Sequence, residues 1–168
     1  MKKILFTLLL GFITVVCNGQ NSVSQIQSTD SINLKLTELQ DKYNFMFCDY
    51  ELFKVKSNLE YLGQGLSIKT NDILCNFYHS KYDRELYVAY SVNYDASVFS
   101  FNSTKELYKE VKKTVVLMAA ISNFTDTQLS LINAHFRAID SSIAMVEASL
   151  KTYEVALKMY NAKNRMTL

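Results

Sequence analysis

The sequence is poor in residues that break or turn a chain. It contains no proline and only four glycines in 168 residues, and two of these, Gly11 and Gly19, lie at the N-terminus. β-Sandwiches and α/β folds need many tight turns, which glycine and proline commonly form. Their scarcity argues against both classes and favours long helices joined by few connections.

Catalytic and cofactor-binding motifs are also missing. There is no CxxCH motif for covalent haem, no glycine-rich phosphate loop and no nucleophile elbow. His79 and Asp83 are four residues apart on one helix and could share a metal ion, but neither they nor His135 belong to a zinc or di-iron pattern. The sequence therefore predicts no catalytic residues, no metal and no cofactor, and a protein that is not an enzyme.

No charge of one sign dominates. The formal net charge is +2, and Lys2 and Lys3 account for all of it. The remaining chain is balanced and lacks the basic surplus expected of a nucleic-acid or anionic-membrane binder. We expect no nucleic acid among its partners.

Residues 1–19 have the pattern of a secretory signal peptide. Lys2 and Lys3 precede a largely apolar run of 13 residues, Ile4 to Val16, which is shorter than a comfortable membrane span. The pattern is similar to that of exported proteins of Gram-negative Bacteroidota and predicts a periplasmic or extracellular protein. The alternative is a lipoprotein acylated at Cys17, although Val16 and Thr14 depart from the usual lipobox.

The stretch from Leu129 to Tyr160 has the clearest helical periodicity. Its apolar residues are separated by alternating steps of three and four and are Leu129, Ile132, Phe136, Ile139, Ile143, Val146, Leu150, Tyr153, Leu157 and Tyr160. This heptad seam predicts a long helix that buries one stripe against partner helices. Thr125 and Gln128 form a capping box at its start.

Three further helices are predicted before it. The first covers residues 31–62, with a seam at Leu36, Leu39, Tyr43, Met46, Tyr50 and Phe53 that then shifts phase to Leu52, Val55, Leu59, Leu62 and Leu66. Gly63 and Gly65 predict its end. The second extends to about residue 99 with a seam at Cys75, Tyr78, Tyr82, Glu85, Ala89, Val92, Ala96 and Phe99. A capping box at residues 103–106 opens a short third helix, with Tyr108, Val111, Val115 and Met118 on its stripe.

The predicted fold is therefore all-α, an antiparallel bundle of about four helices, three long and one short. Residues 20–30 form a flexible lead-in, residues 31–163 the bundle and residues 164–168 a C-terminal tail. Asp30-Ser31-Ile32 resembles an O-glycosylation acceptor, but Asp30 or Ser31 more simply caps the first helix.

Two features of this bundle bear on partners. Cys48 and Cys75 flank the glycine turn and could form a disulfide in an exported protein, or remain as two buried thiols. Tyrosines of the second helix and residues of the last helix are candidates for an interaction face, against the alternative that they pack in the core. They are Tyr78, Tyr82, Tyr87, Tyr90, Tyr94, Met145, Met159 and Tyr160.

The sequence favours an exported interaction or scaffold module that binds a protein partner or a second copy of itself. In outline it is similar to the small helical periplasmic subunits of type IV secretion systems, which implies as an alternative a subunit of a conjugation or secretion apparatus. A second alternative is a carrier that holds a ligand or metal in the bundle interior.

Overall fold

The computed structural model describes residues 24–164, with side chains from Thr29 onwards, and its helices are α1 (Ser24–His79), α2 (Arg84–Ile121) and α3 (Asp126–Lys163). The prediction of an all-α fold is confirmed for this range. The prediction of four helices is wrong, because the breaks predicted near residues 63–65 and 100–102 do not occur, whereas an unpredicted break occurs at residues 80–83. Residues 1–23, which include the predicted signal peptide and Cys17, and residues 165–168 lie outside the described residues.

Residues up to Gln40 and residues from Asp41 onwards form two compact units. The described part of the first unit is the beginning of α1, where the Thr37 hydroxyl donates to the carbonyl of Asn33 at 3.0 Å. The predicted lead-in at 20–30 is helical from Ser24. Asp30 and Ser31 are therefore inside α1 and do not cap its N-terminus.

The second unit is a bundle in which α2 runs antiparallel to α1 and α3. Asn44 Nδ2 donates to Ser122 Oγ at 2.8 Å at one end of the α1–α2 pair, and Asn76 Nδ2 donates to the Tyr90 hydroxyl at 2.8 Å at the other. Between α2 and α3, Lys105 pairs with Glu147 at 2.8 Å. Each adjacent pair of helices is therefore joined over most of the bundle's length.

The heptad seam of α3 is confirmed. All its residues are buried or half-buried, and Ile139, Val146, Tyr153 and Tyr160 have at most 1% of their surface exposed. The far half of α3 packs on both other helices: the Lys163 ammonium donates to the carbonyl of Phe77 on α1, and the rings of Tyr153 and of Tyr94 on α2 lie 5.6 Å apart. The stripe of Tyr108, Val111, Val115 and Met118 also faces the core.

The glycine stop predicted at residues 63–65 is wrong. α1 continues for 14 residues beyond Gly65, and neither glycine has a positive φ. No proline follows them, so each glycine only lowers helix propensity by about 1 kcal/mol. Burial of Leu59 and Leu66 on either side holds the helix together.

The capping box predicted at residues 103–106 is also wrong, because α2 passes through it. Thr104 faces the core, and its hydroxyl donates to the carbonyl of Ser100 at 2.9 Å, four residues back. A threonine that bonds to its own helix in this way is compatible with a helix interior. The predicted third helix is therefore the second half of α2.

The seam predicted for the second helix does not face the core. Cys75, Tyr78, Glu85, Val92 and Phe99 are all exposed. Residues 70–72, near the predicted start of this helix, lie inside α1, where the Thr70 hydroxyl donates to the carbonyl of Leu66. The buried row of α2 is instead Tyr90, Ser97, Phe101, Thr104, Tyr108, Val111 and Val115.

The two observed loops are short and fixed by polar caps. Asp83 caps α2 by accepting from the backbone N–H groups of Glu85 and Leu86. The predicted capping box of Thr125 and Gln128 is confirmed at the start of α3. The loop before it, at residues 122–124, lies where the sequence predicted a turn, and Phe124 packs edge-on against Phe45 at 5.8 Å.

We expect Gly63→Ala and Gly65→Ala each to raise the free energy of unfolding by about 0.5–1 kcal/mol, because alanine is the better helix former. A Cβ at Gly63 meets Val146 Cγ2 at an ordinary 3.6 Å, and one at Gly65 has no atom within 4 Å. Urea unfolding of each variant measures the change. A loss of stability in both would indicate the glycine turn that the sequence predicted.

Candidate functional site

The predicted tyrosine interaction face does not exist as one exposed surface. Tyr90 and Tyr160 are in the core, with 6% and 0% of their surfaces exposed. Tyr82, Tyr87 and Tyr94 are half-buried against it. Tyr78 and Met145 are exposed, and Met159 is half-buried.

Tyr82, Tyr90 and Tyr160 form an aromatic cluster at the end of the bundle next to the α1–α2 loop. The ring of Tyr160 lies 5.5 Å from that of Tyr82 and 5.7 Å from that of Tyr90. Its hydroxyl accepts from the backbone N–H of Asp83 at 3.1 Å. Aromatic pairs at such separations add to the stabilisation from area burial alone. The aromatic cluster therefore holds the α1–α2 loop against α3.

The hydroxyls of Tyr90 and Tyr153 add hydrogen bonds to this aromatic cluster. The Tyr90 hydroxyl donates to Asp72 Oδ2 at 2.8 Å, and the Tyr153 hydroxyl donates to the Tyr90 carbonyl at 2.9 Å. The Lys163 ammonium donates to the carbonyls of Phe77 and Ser80, at the C-terminal end of α1. A cation is favoured there by the helix dipole. All these groups are occupied in holding helix ends, which is a structural role.

Burial sets the protonation of these phenols. It raises the pKa of Tyr90 to about 12, assisted by the carboxylate of Asp72, and it raises that of Tyr153 to about 12. Burial also raises the pKa of Tyr108, which lies near Asp140. Tyr90 and Tyr153 are therefore held neutral, and their hydroxyls act as hydrogen-bond donors.

Of the two alternatives for Cys48 and Cys75, the disulfide does not form, and only one of the two thiols is buried. Both thiols are free, and both lie on α1, 27 residues apart, which is about 40 Å along the helix axis. Cys48 is buried, which raises the pKa of its thiol, and its Sγ lies 3.6 Å from Met118 Sδ. Cys75 is exposed.

The histidines are far from one another in the bundle. His79 is exposed near the end of α1, and the carboxylate of Asp83 is engaged in capping α2. His135 on α3 is half-buried, and its Nε2 lies 2.9 Å from Asp49 Oδ1 on α1. Within the described residues no three histidine, cysteine or acidic side chains come together as a metal site.

An open depression of about 580 Å³ lies along about the first three turns of α3. Its lining residues all belong to this one helix and are Asp126, Leu129, Ser130, Asn133, Phe136 and Arg137. Walls from a single helix do not surround a ligand, whereas small-molecule sites are concave and bury most of the ligand. We do not assign a ligand to it.

The most prominent surface feature is an apolar strip on α1, which we call the outer strip. Each of its six side chains has between 57% and 81% of its surface exposed. They are Tyr43, Met46, Tyr50, Phe53, Tyr61 and Ile68. Tyr61 follows Tyr43, and Ile68 follows Tyr50, by 18 residues, which is about five helical turns, so the pairs share one face of α1.

The outer strip lies on the side of α1 that faces away from the bundle. The buried face of the same helix carries Cys48, Leu52, Val55, Leu59, Leu66 and Ile73, each at most 1% exposed. The two rows differ by about half a turn, as Tyr50 and Leu52 or Phe53 and Val55 show. α1 is therefore apolar on two opposite faces, and its own bundle covers only one.

The outer strip corrects the seam predicted for the first helix. Its residues in the second unit, Tyr43, Met46, Tyr50 and Phe53, face solvent and not the core. In the first unit Leu36 and Leu39, on the same predicted seam, are 43% and 63% exposed. The later part of the prediction is confirmed, since Leu52, Val55, Leu59 and Leu66 are buried and Leu62 is half-buried.

Comparisons with protein-family models, with curated proteins and with solved structures found no match to this chain. Across residues 24–164, none of the helices is apolar over a stretch long enough to cross a membrane.

We expect the free energy of unfolding to fall above about pH 10. The folded pKa of Tyr90, about 12, exceeds the ordinary value of 10, so the unfolded chain loses this proton first. The stabilisation is complete below pH 10 and is lost as the pH rises towards 12. Urea unfolding from pH 8 to 11.5 measures it. Tyr90→Phe should make the fall shallower, and an unchanged slope would contradict the assignment.

We expect Tyr50→Ala and Leu52→Ala, two residues apart on α1, to differ sharply in stability. Leu52 is fully buried, so its truncation should cost about 2–5 kcal/mol. Tyr50 contacts mainly solvent, so its truncation should change the free energy of unfolding by about 0.5 kcal/mol or less. Urea unfolding at low micromolar protein compares them. Equal losses would place Tyr50 in the core of the chain.

Proposed function

We propose that this protein is an exported, non-enzymatic helical bundle that works as an interaction or scaffold module in the bacterial envelope. Its binding surface is the outer strip of α1. The observation that carries the proposal is the second apolar face of α1, which the bundle leaves uncovered. Export is inferred from the signal pattern at residues 1–19, and the interaction role from the strip.

Burial energetics support a binding role for this face. A helix that is apolar on all sides is normally enclosed by other helices, whereas a surface helix has one apolar stripe and a polar face. Large contiguous apolar patches on soluble proteins mark interaction sites. Tyr43, Tyr50 and Phe53 lie along one face of α1, and each exposes between 57% and 66% of its surface to solvent. A partner that covers these side chains removes from water apolar surface that the folded chain alone leaves exposed.

The chemistry of the strip supports a protein as its partner. Its six residues comprise three tyrosines, one phenylalanine, one methionine and one isoleucine, and aromatic residues and methionine are enriched in protein interfaces. The spacing of Tyr43, Met46, Tyr50 and Phe53 by three, four and three residues suits a helix packed alongside α1. A subunit of a conjugation or secretion apparatus is the more specific form of this proposal.

A site-specific photocrosslink tests the binding surface. A benzophenone amino acid replaces Tyr50 in the strip and, in a matched control, Leu117 on α2; the two native side chains are 61% and 66% exposed. After irradiation of the cells that make the protein, we expect a discrete higher-mass adduct from position 50 and none from position 117.

Either kind of adduct partner supports a binding role, whether it is a different polypeptide or another copy of the chain. Absence of an adduct at position 50, or equal labelling at position 117, would show that the strip is not the binding surface. Circular dichroism of each purified variant checks that the helices form.

A further inference from the structure

We infer that the occupant of the outer strip is the outer strip of a second copy of this chain, so that two bundles pair through α1. This inference rests on the proposed function, because it names the partner of that same surface. Three properties of the described residues carry it: the apolar pattern, the flanking charges and the area.

The apolar pattern is self-complementary. Tyr43, Met46, Tyr50 and Phe53 alternate in steps of three and four, so side chains of one strip can sit between those of an identical strip. Pairing of one patch with its own copy gives a twofold interface, the commonest arrangement in homo-oligomers. The remaining helices do not obstruct this pairing, since α2 and α3 pack on the opposite face of α1.

The charges that flank the strip are also complementary to themselves. Lys42 and Asp49 lie along one edge of the strip, and Lys54 lies along the other. In a parallel, in-register pair Asp49 faces Lys54 of the partner subunit, and this contact occurs twice. An antiparallel pair that overlays the same four strip residues places Asp49 against Asp49 of the partner subunit, so the flanking charges favour the parallel direction.

The position of Asp49 is fixed within the bundle. Its Oδ1 lies 2.9 Å from His135 Nε2, and 44% of its side-chain surface remains exposed. The carboxylate is therefore held at the edge of the strip while it is still accessible to a lysine from outside. Charges at the rim of an interface chiefly set register and partner choice.

The area is sufficient for a reversible pair. At about 200 Å² for each large side chain, the exposed fractions of Tyr43, Met46, Tyr50 and Phe53 amount to about 500 Å² per copy. Two copies bury about 1,000 Å², the lower bound for a specific interface. Tyr61 and Ile68, which are 81% and 70% exposed, extend the contact along the same face. An association in the micromolar range is expected from an interface of this size.

Sedimentation velocity of the full chain tests the inference. The wild type should change from one chain mass to two as its concentration rises through the micromolar range. Tyr50→Lys should weaken the pair at least about tenfold, because a charge is then buried at the centre of the strip. Leu117→Lys, an equally exposed apolar-to-lysine change on α2, should leave the dissociation constant within about twofold.

Charge reversals test the flanking residues without disturbing the Asp49–His135 contact. Lys54→Glu should weaken the pair several-fold, because it places two carboxylates together, whereas Lys42→Glu, which faces no acidic residue in the parallel pair, should leave the dissociation constant within about twofold. If Lys54→Glu does not weaken the pair, the interface does not have the geometry proposed.

Other occupants give different results. A chain that stays monomeric to several hundred micromolar, or a dimer that survives Tyr50→Lys, overturns the inference. If such a monomer is crosslinked at position 50 to a different polypeptide, the proposed binding surface stands and only the second copy is wrong. A crosslink from position 50 to another segment of the same monomer contradicts both proposals.

Discussion

The bundle depends on the burial of one α3 stripe against two other helices at once. Ile139, Val146 and Tyr153 are at most 1% exposed because α1 covers them on one side and α2 on the other. α2 and α3 contain 38 residues each, so their apolar rows match in length without a fourth helix. Each has an apolar row that the bundle buries, although α2 also leaves Val92 and Phe99 exposed. α1 has a second row of large apolar side chains, and its exposure follows from the packing of its neighbours.

Polar contacts, not glycine or proline, determine where the chain reverses. At the first loop Asp83 caps α2 while its backbone N–H donates to the Tyr160 hydroxyl, and Lys163 binds the last carbonyls of α1. At the second loop the side chain of Ser122 accepts from Asn44. Both loops are thus joined to a helix from elsewhere in the chain. Such tertiary contacts satisfy the free backbone groups of helix ends, a requirement that local turn residues meet in other proteins.

The helical class, the α3 seam and the Thr125–Gln128 capping box could be predicted from the sequence, because each depends on periodicity or on residues three apart. The helix boundaries in the first two-thirds could not. Gly63 and Gly65 suggested a turn, but two glycines cost a helix only about 2 kcal/mol, which burial of Leu59 and Leu66 offsets. The true loop at residues 80–83 contains neither glycine nor proline, and only Asp83 marks a helix start. The possible disulfide depended on that turn and is excluded with it, because one continuous helix separates the two thiols.

The outer strip was present in the sequence, but its meaning depended on which apolar row faces the core. From the sequence alone, the phase change near Phe53 indicates a single seam whose heptad phase shifts once, which is called a stutter. In the structure two rows coexist on α1, since Asn44, Cys48 and Leu52 are buried over the same turns on which Tyr43, Met46 and Tyr50 are exposed. Periodicity alone does not show which of two apolar rows on one helix faces the core. The buried row contains a polar Asn44 and a small Cys48, whereas the exposed row is uniformly large. The larger and more regular row therefore lies outside, which is the pattern expected when a helix has partners both within its chain and beyond it.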